Sequence, residues 1–340
     1  MFAAAVYRLP LRRSRLLRIS LLSVLGFYIN ACSTLTPTTG ASTSDSDTQV
    51  EPLRVALVLG GGGAKGFAHV GVIKALEANG IKPTLVVGTS VGSLIGSLYA
   101  SGYTPAKLER LAMTTTDSQL TDFTLSNQGF IEGIKLKNFI NNKVGKQAIE
   151  DFPIAFAAVA AEKHSLKKSV FTTGDAGLAV QASCSVPNIF IAPRIPEKVG
   201  KKYVDGGVVS LVPVDSARDL GADIVIAVDV TTTKDVSRLN NPIGSIDINK
   251  ILTGSALNDF WGLLETNIMA TTASGSRSSS MRLERDRADI IITPDVGHIS
   301  AIDSSQRSTL IKAGTQATTP QINAIKQLIQ EKSKQKYATL

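Results

Sequence analysis

The sequence predicts an α/β protein, a three-layer α/β/α sandwich with a mostly parallel central sheet. Two observations lead there. Short apolar, β-branched runs alternate with segments whose apolar residues recur at helical spacing, the pattern of strands joined by crossover helices. Two of those runs also end in a glycine-framed turn that opens into a helix, Leu59-Gly60-Gly61-Gly62-Gly63-Ala64-Lys65-Gly66 and Gly88-Thr89-Ser90-Val91-Gly92. Strand, tight turn and helix in succession can present backbone N–H groups or one side chain for chemistry.

Each element has its own signal. Val55 to Leu59 reads as a buried strand. Phe67, Val70, Ile73 and Leu76 then fall on one helical face, and Asn79-Gly80 ends that helix. Pro83 to Val87 predicts a second strand, and Val91 to Ala100 a second helix closed by Gly102. Thr104-Pro105 opens another helix, a capping hydroxyl before a proline whose fixed φ suits the first turn. Further strands are predicted at Ile154–Ala160, Lys168–Phe171, Asp223–Val228 and Ile290–Ile292. Residues 250 to 285 have a helical pattern interrupted by a Ser-rich stretch, Ser274 to Ser280, and Ile311 to Lys332 predicts a terminal helix.

The N-terminal residues belong to a different class. Residues 1–31 carry Arg8, Arg12, Arg13, Arg15 and Arg18 ahead of a short apolar run from Ile19 to Ile29. That is the layout of a secretory signal, too short to span a bilayer as a mature helix. The run reaches Ile29-Asn30-Ala31-Cys32, which resembles a bacterial lipoprotein signal with Cys32 as the lipid-attachment residue. Ser33 after it resembles an outer-membrane sorting signal, so the expected location is the bacterial cell envelope, lipid-anchored at the outer membrane and facing the periplasm. Residues 33 to 50 hold ten Ser or Thr in eighteen positions and cannot bury a core, so 32–52 is expected to be a flexible tether. One large folded domain is expected at 53–335.

Removing the signal takes away five arginines and no acids, and the formal net charge falls from +8 to +3. A nucleic-acid partner then loses its support. Cys184 has no partner once Cys32 is acylated, so no disulfide is expected.

A G-x-S-x-G turn between a strand and a helix forces Ser90 onto a sharp elbow with its hydroxyl exposed, and Gly88 and Gly92 leave room for it. The glycine run from Gly61 through Gly62, Gly63 and Lys65 to Gly66 also matches G-x-G-x-x-G of a dinucleotide fold. That reading needs an acid at the end of the next strand, where this chain has Val87-Gly88. A P-loop fails because Lys65 is followed by Gly66. N–H groups at a helix start can instead stabilise negative charge, and beside a nucleophilic serine that is an oxyanion hole. For the base, Tyr203-Val204-Asp205-Gly206-Gly207 ends a short run with an acid before two glycines. Ser90, Asp205 and His298 also stand in the chain order of an α/β-hydrolase triad. His69 reads as a packed helix residue and His164 as a turn residue.

These motifs, in this order, resemble the patatin-like phospholipase family. The resemblance covers most of residues 53 to 330. It rests on the Gly61–Gly66 loop with its basic Lys65, the Gly88–Gly92 elbow, Asp205-Gly206-Gly207, and the block Ala182-Ser183-Cys184-Ser185-Val186-Pro187 followed by Phe190 and Pro193. Pro294-Asp295-Val296-Gly297 is similar to bacterial members as well. The resemblance implies a lipid acyl hydrolase acting on phospholipid or lysophospholipid through a Ser–Asp dyad. Ser90 would be the nucleophile, Asp205 the proton acceptor, and the N–H groups around Gly62 and Gly63 the oxyanion hole. It implies no cofactor and no metal, and no calcium loop of the required spacing is present. Where members often carry an Asp and a Thr-Gly turn, this chain has Ala161-Glu162-Lys163-His164-Ser165, a region expected to line the acyl site.

Overall fold

The computed structural model describes residues 52–231 and 275–338. Cys32, the predicted signal, nearly all of the predicted tether and the helical pattern between 250 and 274 lie outside the described residues. The first half runs β1 (Val55–Leu59), α1 (Phe67–Ala78), β2 (Leu85–Thr89), α2 (Val91–Ala100), α3 (Pro105–Thr114), α4 (Asp117–Leu120) and α5 (Ile134–Lys143). There follow β3 (Ala155–Glu162), β4 (Lys168–Phe171), α6 (Ala176–Ser183), β5 (Arg194–Ile195), β6 (Lys201–Asp205), α7 (Val214–Asp219) and β7 (Ile224–Val228). The last described elements are α8 (Gly275–Arg285), β8 (Ile290–Ile292), α9 (Arg307–Thr318) and α10 (Ile322–Ala338).

The strands form one sheet in the order β5-β6-β3-β2-β1-β7-β8, with β4 on β3 outside this path. β3, β2, β1, β7 and β8 are parallel, while β4, β5 and β6 pair antiparallel. The predicted mostly parallel sheet is therefore present, with an antiparallel margin. Period-two alternation divides β1 between two cores. Val55, Leu57 and Leu59 face a large core built with α1, α2, α3, α5, α6 and α9. Ala56 and Val58 face a smaller core closed by Val214 and Ala217 of α7. Each fully buried branched side chain here contributes about 2 kcal/mol.

Register on β3 brings the chemistry together. Along its first half β3 pairs with β2, ending at Val159 opposite Thr89. From the next residue the same edge is taken by β6 running the other way, with Ala160 opposite Asp205 and Glu162 opposite Tyr203. The carboxyl ends of two strands far apart in sequence thus meet head to head on neighbouring residues of a third.

Several boundaries differ from the sequence reading for identifiable reasons. β2 runs on to Thr89 because Gly88 still pairs with Leu59 and with Ala158. The terminal helix is two helices, broken by a tight turn at Thr319–Gln321 that contains Pro320, a residue without an N–H to continue the ladder. Residues 275 to 280 of the Ser-rich stretch lie within α8, and the helical pattern before them falls outside the described residues. α5, α6 and the β5–β6 hairpin carry weaker signals and were not predicted.

Two glycines set the contact of α1 with α9. A Cβ on Gly71 would lie 1.9 Å from Ile311 O, and one on Gly314 1.9 Å from Ala68 O. The backbones touch, and the Thr315 hydroxyl donates to Gly71 O at 3.2 Å. Gly71→Ala and Gly314→Ala are each expected to destabilise the fold by about 2 kcal/mol or more through overpacking, measurable as a lower urea midpoint.

Candidate active site

Ser90 occupies the turn between β2 and α2 with φ 54° and ψ −128°, a left-handed conformation for a residue with a Cβ. The flanking glycines are steric requirements. A Cβ on Gly88 would sit 2.4 Å from Gly92 O, and one on Gly92 2.0 Å from Leu59 O. The serine side chain caps no helical N–H. Its own N–H donates to Ser183 Oγ at 2.9 Å, and that hydroxyl donates on to Val159 O at 2.6 Å.

The glycine loop lies against this elbow. A Cβ on Gly61 would fall 3.3 Å from Ser90 Cβ, and one on Gly66 2.3 Å from Val91 Cγ2. Accounting for its amides narrows the donors. Gly60 N–H is taken by Val228 O, Gly61 N–H by Leu211 O, Ala64 N–H by Ala301 O and Lys65 N–H by Gly62 O. Gly62 and Gly63 N–H make no hydrogen bond with the described residues. Gly63 has φ 57° and would clash with Ala301 O at 2.2 Å if it bore a Cβ, while a Cβ on Gly62 would meet Val230 Cγ2 at 2.6 Å. Lys65 is fully buried beneath the turn. So is His69 on α1, whose Nε2–H donates to Gly60 O at 2.8 Å, and burial lowers its pKa to about 4. This neutral imidazole braces the loop from below, a packed helix residue as predicted.

Asp205 closes the other end of the arrangement. It is 6% exposed, and one carboxylate oxygen, Oδ1, accepts from Gly207 N–H at 2.7 Å. The second, Oδ2, makes no hydrogen bond of ordinary geometry. Burial raises the pKa from 3.8 to about 6, against the opposing influence of the nearby Ser90 hydroxyl and of Gly207. A nucleophile–acid contact this loose is common where no substrate is bound. Gly206 must be glycine, since a Cβ there would lie 2.2 Å from Val159 O. Gly207 supplies the N–H that orients the acid.

Three residues not singled out as site residues hold this pair. Ser183 anchors Ser90, and Ser185 O accepts the Asp205 N–H at 2.8 Å. Between them Cys184 lies 3.9 Å from the Ser93 hydroxyl, its thiol pKa pushed up by burial and by Asp205. The signal was the Ser-Cys-Ser block itself, legible as a motif but not as a clamp. α8 adds a second brace: Glu284 accepts from the Ser210 hydroxyl at 2.8 Å, and Arg285 donates to the buried Asp229 at 2.9 Å. Those bonds pin the two segments whose carbonyls hold Gly60 and Gly61.

From Ser90 an apolar cleft of about 250 Å³ runs between α2, α3 and α5, walled by Phe67, Leu94, Leu108, Leu111, Leu136 and Phe139. At its far side Arg307 donates to Ser304 O at 2.8 Å, to Ala112 O at 2.9 Å and to Thr115 O, with its guanidinium over the Phe67 ring. That side chain staples α9 to the end of α3. Residues 161–165 do not line the cleft, contrary to the expectation for them. They end β3 and form an exposed turn that contains His164. His298 is exposed on the loop after β8 and bonds to neither Ser90 nor Asp205, so the triad is not assembled. No cluster of three or more metal-ligating side chains occurs among the described residues.

The strain at residue 90 has a measurable sign. Ser90→Gly is expected to stabilise the fold by about 1 kcal/mol by relieving the left-handed backbone, while Ser90→Ala stays within about 0.5 kcal/mol of the parent. Urea denaturation monitored by circular dichroism distinguishes them.

Known proteins share the sequence pattern and the fold. The profile of the patatin-like phospholipase family matches residues 57–218. Lysophospholipase NTE1 of Coccidioides immitis is 36% identical over 216 residues, 62% of this chain and 13% of its own. An uncharacterized NTE family protein of Mycobacterium tuberculosis is 35% identical over 179 residues, 52% of this chain and 49% of its own. The chain spans about half the length of that relative and far less of the other. Among solved structures, VipD from Legionella pneumophila superposes with a TM-score of 0.53 at 15% identity, covering 81% of this chain and 67% of its own, a likeness of fold. The family profile runs from β1 through the elbow and the Asp205 turn to α7, so residues 57–218 form a patatin-like phospholipase domain.

Proposed function

We propose that the domain is a serine acyl hydrolase acting on phospholipid or lysophospholipid esters through a Ser90–Asp205 dyad. The observation that carries the reading is the buried carboxylate beside Ser90, with one oxygen fixed by Gly207. In this mechanism Asp205 takes the Ser90 proton as Oγ attacks the ester carbonyl. Gly62 and Gly63 N–H receive the developing oxyanion, and the fatty chain lies in the apolar cleft. The proton then passes from Asp205 to the departing alcohol. Water, deprotonated by the same carboxylate, releases the acid from acyl-Ser90. The family relationship supports a lipid substrate, and a lysophospholipase among the relatives supports a glycerophospholipid.

Fatty-acid release from mixed bacterial phospholipids, beside hydrolysis of a short activated ester, tests the proposal. Ser90→Ala and Asp205→Asn are each expected to lower kcat/KM by at least about 10³-fold. A carboxylate with a pKa of about 6 must be ionised to accept a proton, so activity rises with pH through about 6 and is lost below it. Loss of activity in His298→Ala as deep as that in Asp205→Asn would overturn the dyad in favour of the triad, and full activity in Asp205→Asn would overturn both.

We also propose that Cys32 carries the lipid that holds the enzyme at the outer membrane, facing the periplasm. Cys32→Ser is expected to move the protein from the membrane to the soluble fraction of a bacterial lysate.

A further inference from the structure

We propose that the domain has its own bilayer-docking face, formed by two loop tips at the mouth of the cleft and suited to an anionic lipid surface. The inference rests on the cleft being the lipid site proposed above, but concerns a surface outside the catalytic machinery. The first tip is the turn closed by Thr124 N–H on Phe130 O at 2.9 Å, with Leu125 73% exposed at its head. The second is the β5–β6 hairpin, with Val199 83% exposed. One exposed apolar side chain is ordinary on a protein surface, but two that head neighbouring turns beside one opening can enter the same apolar layer.

Topology sets both tips around one opening. β6 pairs with the last residues of β3, Tyr203 opposite Glu162, so the hairpin rises past the carboxyl edge of the sheet where Ser90 sits. The other turn packs on Phe190, which lines the cleft: a Cβ on Gly129 would lie 2.8 Å from the Phe190 carbonyl carbon. Lys202 Nζ joins the two, donating to Gln128 Oε1 at 2.8 Å.

Charge identifies the occupant. The hairpin from Arg194 to Lys202 holds four cations, of which Lys201 is paired with Glu162, leaving Arg194, Lys198 and Lys202 against one carboxylate, Glu197, which is itself paired with Lys137. Two apolar tips separated by cations do not make the flat, continuous face that a folded protein partner covers. A penetrable medium with anionic headgroups can receive both tips while the lysines stay at headgroup level. Docked this way, the cleft opens into the layer from which its acyl chains come.

The test uses the compact unit Val50–Leu340, which contains the whole described sheet and both cores, in a Ser90→Ala background so that vesicles stay intact. Sedimentation with phosphatidylcholine vesicles containing 30% phosphatidylglycerol, about a typical anionic fraction, is compared with phosphatidylcholine alone. Binding is expected to be at least about tenfold tighter to the anionic vesicles. Leu125→Ser with Val199→Ser should weaken it by about tenfold or more, and Lys198→Glu by about fivefold on anionic vesicles only. With Ser90 restored, all these variants should cleave a soluble short ester at the parent rate. Equal binding by parent and variants, or no preference for anionic lipid, overturns the proposal. So does concentration-dependent dimerisation abolished by Leu125→Ser without vesicle binding, which would assign the face to a second copy. Vesicle binding as expected with no ester cleavage by any form would instead sink the hydrolase reading and leave the docking face standing.

Discussion

Everything at the active site depends on two consecutive residues of β3. Val159 pairs with the last residue of β2, and Ala160 pairs with the last residue of β6. Because one strand arrives parallel and the other antiparallel, their carboxyl ends point at each other. The residue after β2 is Ser90 and the residue ending β6 is Asp205, the two members of the proposed dyad. The Val159 carbonyl also accepts the Ser183 hydroxyl that anchors Ser90 and lies where any Gly206 side chain would go. A short stretch of backbone therefore fixes the distance, facing and steric limits of the pair.

Around that point the protein holds two unfavourable states at once. Ser90 adopts a left-handed backbone, and Asp205 has its ordinary pKa raised by burial. Both costs are local, and the two large cores and the braces from α6, α8 and α9 sustain them. A carboxylate kept from water and from a full set of hydrogen bonds is a stronger proton acceptor than the same group on the surface. The arrangement trades stability for basicity.

Much of this was legible in the chain. β1 and β8 were readable to the residue because apolar runs bounded by polar or glycine residues leave little ambiguity. α2 was equally clear, framed by the elbow and Gly102. The elbow and the glycine loop announced themselves because each needs glycine for a steric reason that recurs at fixed spacing. What could not be read was pairing. Nothing local to Tyr203-Val204-Asp205 says that it is the antiparallel continuation of an edge begun by β2. The Ser183 and Ser185 contacts depend on that same long-range register. The Arg307 staple and the α1–α9 contact through Gly71 and Gly314 escaped for a similar reason, since glycine in a helix is locally a weakness and acquires meaning only from the partner helix.

That last contact has a consequence for the order in which the protein comes into being. The family profile ends at residue 218, yet the carbonyl that takes Ala64 N–H belongs to Ala301, and the helix pressed against the base of the glycine loop begins at Arg307. During synthesis the serine, the acid and the loop all leave the ribosome before the segment that shapes the loop. A nascent chain holding the glycine loop, the elbow and the Asp205 turn still lacks the support that sets the loop's amides. Full assembly of the site waits for translation past Thr318.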